Sequence, residues 1–167
     1  MKNRNSMLGK LLLAILFLNV QILMAQNSGG GIDQNYPKAE EEIMETMNGI
    51  VQSIKDGDID KLIAFHAYGP KFTEFKMGEP RVGGEANEDH ERNVFGNVTE
   101  VLKFDAKDLK IAVYYGNVAN VTFHSDFHLK FEDDIVVVND QISLLFVKTK
   151  KGDWKIVHEH HSPLKSE

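Results

Sequence analysis

An α+β domain, with helices first and a long antiparallel sheet after them, is predicted by three observations. Between residues 37 and 57 apolar side chains recur at three- and four-residue spacing, the period of a helix with one buried stripe. From Val98 to Ser162 they alternate instead, as strands do, in runs separated by the turn pairs Gly116-Asn117, Asp133-Asp134 and Lys151-Gly152. No internal repeat or heptad interrupts that order.

The N-terminus stands apart. Lys2 and Arg4 precede an apolar stretch from Leu11 to Ala25 that is broken by Asn19 and Gln21 and is short for a bilayer span. It reads as a secretory signal, residues 1–25, cut before Gln26, and the expected location is exported, periplasmic or extracellular. Residues 26–36, with Gly29, Gly30 and Gly31 in a row, read as a flexible leader. The domain proper is expected over residues 37–164. The 167-residue chain has no cysteine, so neither a disulfide nor a thiol nucleophile is available. Losing Lys2, Arg4 and Lys10 with the signal takes the formal charge from −6 to −9. Such an acidic chain lacks the basic footprint that nucleic acid or an anionic membrane requires. A small ligand or another protein is left as the partner.

Ile43, Met47, Ile50, Val51 and Ile54 make the stripe of the first helix, with Glu40, Glu41 and Glu42 in its opening turn and Gly57 placed to end it. Asp58 is the expected N-cap of a shorter second helix running to about Ala67. Asp56, Asp58 and Asp60 have the first spacings of a calcium loop, but Lys61 and Ala67 stand where its glycine and glutamate belong. Gly69-Pro70 breaks the chain, KFTEFKM suits a strand, and Gly78, Pro80, Gly83 and Gly84 punctuate a turn. Glu85 to Asn97 is a third, weakly periodic helix. Four strands follow, at roughly 101–115, 118–132, 135–149 and 153–162, and their short connections predict an antiparallel meander.

Chemistry concentrates in the last strand, WKIVHEHHS. Strict alternation puts Trp154, Ile156, His158, His160 and Ser162 in one row and Lys155, Val157, Glu159 and His161 in the other. Trp154 and Ile156 should face inward, drawing His158 and His160 with them, where a neutral imidazole can act as acid or base without a cofactor. Two histidines alone lack the third ligand of a metal site, so no metal is expected there. His124, Asp126 and His128 also share a face, but Val121, Phe123, Phe127 and Leu129 opposite them should take the core side and leave the polar trio outward. His66, Tyr68, Phe72 and Glu74 sit where the second helix gives way to the first strand and are candidates for ligand contact. Arg81 and Gln141 are further polar candidates. Asn97-Val98-Thr99 and Asn120-Val121-Thr122 match the glycosylation sequon.

The order of elements, with GDIDKL between the first two helices, GPKFTEF after the second, GNVANVTF leading a strand and the terminal GDWKIVHEHHS, resembles the SnoaL-like branch of the nuclear transport factor 2-like superfamily over about residues 38 to 163. The resemblance implies a cone-shaped fold, a strongly bent antiparallel sheet wrapped on the N-terminal helices and enclosing a pocket opened near residues 66–74. It implies a homodimer through the outer sheet face. Because the superfamily hosts isomerases, cyclases, dehydratases and non-catalytic binders, it does not choose an activity. A paired catalytic Asp and Tyr cannot be placed on this chain. The expectation is therefore an exported protein binding a small apolar ligand through His66, Tyr68, Phe72, Glu74, Gln141, Trp154, His158 and His160, with no cofactor. The alternative is a small cofactor-independent enzyme using His and Glu for proton transfer on an apolar substrate.

Overall fold

The structure, a computed structural model, describes residues 31–164. The signal stretch falls outside the described residues, as do residues 26–30 of the leader. Among the described residues no helix is long and apolar enough to cross a membrane.

Helix α1, Pro37–Asp56, begins on a proline whose missing N–H costs nothing at that position, and it buries Ala39, Ile43, Met47, Ile50 and Ile54. Gly57, at φ 68°, closes it in the left-handed conformation that a side chain would disfavour. Asp58 caps α2, Ile59–Ala64, by accepting from the backbone N–H of Lys61 at 3.0 Å. Strands β1, Thr73–Lys76, and β2, Glu79–Val82, make a hairpin turned by Met77 and Gly78, both at positive φ. Thus Gly78 and Pro80 lie in a hairpin with a strand of its own, where only a turn is expected from sequence. Helix α3 spans Gly84–Gly96. The sheet continues with β3, Glu100–Tyr114, β4, Val118–Phe131, β5, Asp134–Val138, β6, Asp140–Lys148, and β7, Trp154–Pro163.

The strand order is β2-β1-β7-β6-β4-β3, with β5 also on β4, and the sheet does not close into a barrel. Its C-terminal part is the expected antiparallel meander. However, β1 joins it parallel to β7, so the whole sheet is mixed. The run expected as one strand over 135–149 is two. β4 pairs with β6 along residues 118–124 and with β5 along 127–131. Ser125, buried between these stretches, donates to Val138 O at 2.9 Å and accepts from the Asp140 N–H at 2.7 Å, holding the break at Asn139. Register shifts at Leu102, at Asp108–Leu109 and at Val157 bend the sheet around α1. The core joins the α1 stripe to Val121, Phe123, Phe127, Ile142, Leu144, Phe146, Trp154 and Ile156.

Candidate functional site

The register shift in β7 decides what the site is made of. Phe146 pairs with Ile156 and Leu145 with His158, so Val157 has no partner and the alternation skips a residue. Before the bulge, Trp154 and Ile156 are buried; after it, Glu159 is buried at 5 % exposure, His161 follows on the same side, and His160 is exposed. The expected inward row of His158 and His160 is thereby overturned. His158 Nδ1 lies 2.8 Å from Thr73 Oγ1, and both imidazoles flank Phe75, which is 45 % exposed. The bulge falls where β7 changes partner: Ile156 bonds the chain at Phe65 and Ala67, whereas His158 to His161 run beside β1.

Beneath α1 and α3 lies a cavity of about 100 Å³, walled by apolar residues that include Met47, Ile54, Phe95, Phe104, Phe127 and Ile142, with the rings of Phe104 and Phe127 stacked at 3.8 Å. Its polar groups are His66, Glu91, Glu159 and His161. His66 follows directly on α2. Its Nδ1 meets Leu62 O at 3.1 Å and its Nε2 meets Glu159 Oε1 at 2.8 Å. Both neighbours are acceptors, so both nitrogens must donate and the ring is held as an imidazolium. Burial pulls the His66 pKa down, but the hydrogen bond and charge of Glu159 outweigh it and the net shift is upward. Glu159 is the mirror image: burial raises it, yet the His161 and His66 hydrogen bonds hold it well below the usual carboxylate range. His161 Nε2 reaches Glu159 Oε2 at 3.2 Å.

Glu91 is different. It projects from α3 on the face it shares with Phe95, makes no hydrogen bond or ion pair among the described residues, and is pushed up to about 7 by burial and then by the charge of Glu159. The helix is docked tightly enough to place it. A Cβ on Gly84 would stand 2.3 Å from the Gly69 nitrogen and 2.6 Å from the Tyr68 carbonyl carbon, so only glycine allows that contact.

Of the other residues expected at the site, Tyr68 stacks on His66 at 4.8 Å, and Phe72 backs both rings from the core. Burial, then the charges of Glu91, Glu159 and Glu74, raise the pKa of Tyr68 and keep it a neutral phenol. Glu74 is buried opposite Glu159 in the parallel pair and is gripped by Arg81 through Nε at 2.9 Å and a second guanidinium nitrogen at 2.5 Å. Glu74, Glu159 and His161 each offer an atom within 4.8 Å of the others, a spacing that could serve a metal ion, but their oxygens are already engaged by Arg81 and two imidazoles. Trp154 and Gln141 do not reach the cavity. The Trp154 indole donates to Glu42 at 3.0 Å, and Gln141 is exposed opposite His124. His124, Asp126 and His128 face outward, as the pattern predicts, with Asp126 bound by Lys103, Lys107 and His128.

Sequence reasoning missed Glu91, Glu159 and His161. Glu91 had a signal, its four-residue spacing to Phe95 on an otherwise charged helix. The other two had none, since the bulge follows from the partner change and not from any residue at 157.

No curated protein matches the chain. Solved structures do, at identities that speak for the fold alone. A candidate dehydratase of the nuclear transport factor 2-like family from Streptomyces avermitilis is 17% identical, with a TM-score of 0.67 over 78% of this chain and 99% of that one. A candidate aromatic ring hydroxylase from Novosphingobium aromaticivorans is 20% identical, TM-score 0.66, over 80% and 94%. A candidate ketosteroid isomerase from Shewanella frigidimarina is 18% identical, TM-score 0.58, over 79% and 98%. The family model of the SnoaL-like domain matches residues 43–166, which takes in both carboxylates and both imidazoles of the cavity, and the chain belongs to that family.

Proposed function

We propose that this SnoaL-like domain is an exported binder of a small, largely apolar ligand, held in the cavity under α1 and α3. The observation that carries the reading is the wall itself, almost wholly aliphatic and aromatic, with His66, Glu91, Glu159 and His161 as its polar groups. At about 100 Å³ the cavity is smaller than the apolar cavity of about 150 Å³ that takes up benzene, so one small ring is the upper limit of what it holds, with any polar substituent left toward the exposed side at Ala106. Ala106 is an exposed residue on the cavity wall, so a larger side chain there can block entry without disturbing the core. The test is titration of benzyl alcohol into the full chain, followed by backbone amide shifts. Shifts are expected around Phe127 and Glu91 and should be lost in Ala106→Trp with its melting temperature kept. Binding unaffected by that substitution would place the ligand elsewhere.

Glu91 favours a second reading, a cofactor-independent enzyme. A carboxyl titrating near 7 in an apolar cavity is suited to give and take a proton at neutral pH, and the His66–Glu159 pair beside it can hold an imidazolium donor. Among the structural neighbours are candidate dehydratase and isomerase proteins, which agrees with such chemistry. As to partner and location, we propose a homodimer through the outer sheet face and removal of residues 1–25 on export. Mass spectrometry of the exported protein is expected to find Gln26 at its N-terminus; an intact Met1 would refute the cleavage.

A further inference from the structure

We infer that the cavity selects an organic cation, an ammonium group carried on a small apolar body, with Glu91 as its counter-ion. The inference rests on the ligand-binding reading above and narrows its ligand class. The formal charges around the cavity are paired except for one. Arg81 on β2 answers Glu74 on β1, and His66 after α2 answers Glu159 on β7 with Nε2 at 2.8 Å. His161, also on β7, donates to the remaining oxygen of Glu159. On α3 itself, Arg92 is taken by Glu88 and Asp60. Glu91 has neither hydrogen bond nor ion pair among the described residues, and its carboxyl helps to form the cavity wall. Among the described residues, Glu91 is the carboxylate of the site that has no partner in contact with it.

The walls supply what an ammonium ligand needs besides a carboxylate. Phe95, Phe104, Phe123 and Phe127 all line the cavity, and aromatic faces attract cations most strongly where water is excluded. The surrounding potential is negative: Glu91, Glu159, Glu74 and Glu88 each act on Tyr68 in the sense that opposes its ionisation. An anionic ligand would meet Glu159 and Glu91 with no free cation to receive it. A neutral ligand would leave Glu91 half-buried and unpaired whenever it ionises, whereas a cationic one converts that cost into an ion pair.

The test compares three ligands of equal ring size, benzylammonium, benzyl alcohol and benzoate, by titration calorimetry on the full chain at about pH 8. Benzylammonium is expected to bind on the order of tenfold more tightly than benzyl alcohol, the effect of a hydrogen bond to a charged group, and benzoate most weakly. The preference should shrink below pH 7 as Glu91 takes up a proton, and Glu91→Gln should abolish it, so that benzylammonium and benzyl alcohol bind within about twofold of each other. Equal or tighter binding of the alcohol, or a cation preference that survives Glu91→Gln, overturns the inference but leaves the apolar cavity reading in place. Should none of the three bind, both fall. If the variant does not fold, the wild-type pH series decides: a preference that is constant from about pH 5.5 to 8 overturns the assignment to Glu91.

Discussion

Three residues around the cavity set opposing demands on pH. Glu159 has a lowered pKa when folded, so its contribution is complete above the usual 4.5 and is lost as pH falls below it. His66 has a raised pKa, so its contribution is complete below 6.5 and is lost as pH rises through the folded value. Glu91 is raised to about 7, which means the fold favours its neutral acid and loses stability as pH climbs from 4.5 to about 7. The stability maximum should therefore lie near pH 5, and denaturation midpoints should decline toward neutral pH. In Glu91→Gln the decline below pH 7 should largely vanish, leaving the variant more stable than wild type at about pH 8 by roughly 1 to 3 kcal/mol. Urea melts at pH 5 and pH 8 decide this, and an unchanged slope in the variant would show that Glu91 is solvated. Replacing Glu159 by Gln is a different matter, because it leaves the His66 imidazolium without a partner; the expected cost is about 3 to 5 kcal/mol.

At the scale of elements, most of the chain could be read from its sequence because local rules and tertiary packing agree. The α1 stripe, the Gly57 stop, the Asp58 cap and the inward row of β4 are each where period and capping chemistry put them. Reading failed where a strand changes partner. β4 exchanges β6 for β5, splitting the expected 135–149 strand, and β7 exchanges the end of α2 for β1, creating the bulge at Val157 that turns Glu159 and His161 inward. Alternation is a local rule, and a partner change is a long-range event that a single strand's pattern does not encode. The bulge makes its own prediction. Val157→Ala trims a half-buried side chain and should cost within about 1 kcal/mol, whereas deleting Val157 would carry Glu159 and His161 to the outer face and expel the pair with His66. Circular dichroism melts should show near-wild-type cooperativity for the first and collapse for the second; equal stability of the two would mean the skipped residue is not what sets the faces. Trp154, upstream of the bulge, is buried whichever way the faces then run, and Trp154→Ala should cost roughly 3 to 5 kcal/mol.

For the whole molecule, the sheet's two faces divide its tasks. The inner face is filled by α1 and the cavity, so a partner docking on the sheet would meet its outer face. That face carries Lys103, His124, Asp126 and His128 as a charged network, but it also exposes Ile135, Val137 and Val147, apolar residues that a solvated strand would not favour. Ile135 and Val137 stand opposite Lys130 and His128 on β4 and so point outward with them. A second copy placed on this face covers the same residues on both chains, as a two-fold interface requires, and burying on the order of 800 Å² on each would suffice for a stable dimer. Light scattering after size exclusion is expected to give twice the mass of one chain. Val137→Lys should shift it toward the single-chain mass while changing the unfolding free energy by no more than about 0.5 kcal/mol, because the exposed side chain contributes little to the protomer's own core. A wild-type protein that runs as a single chain at micromolar concentration would rule this interface out.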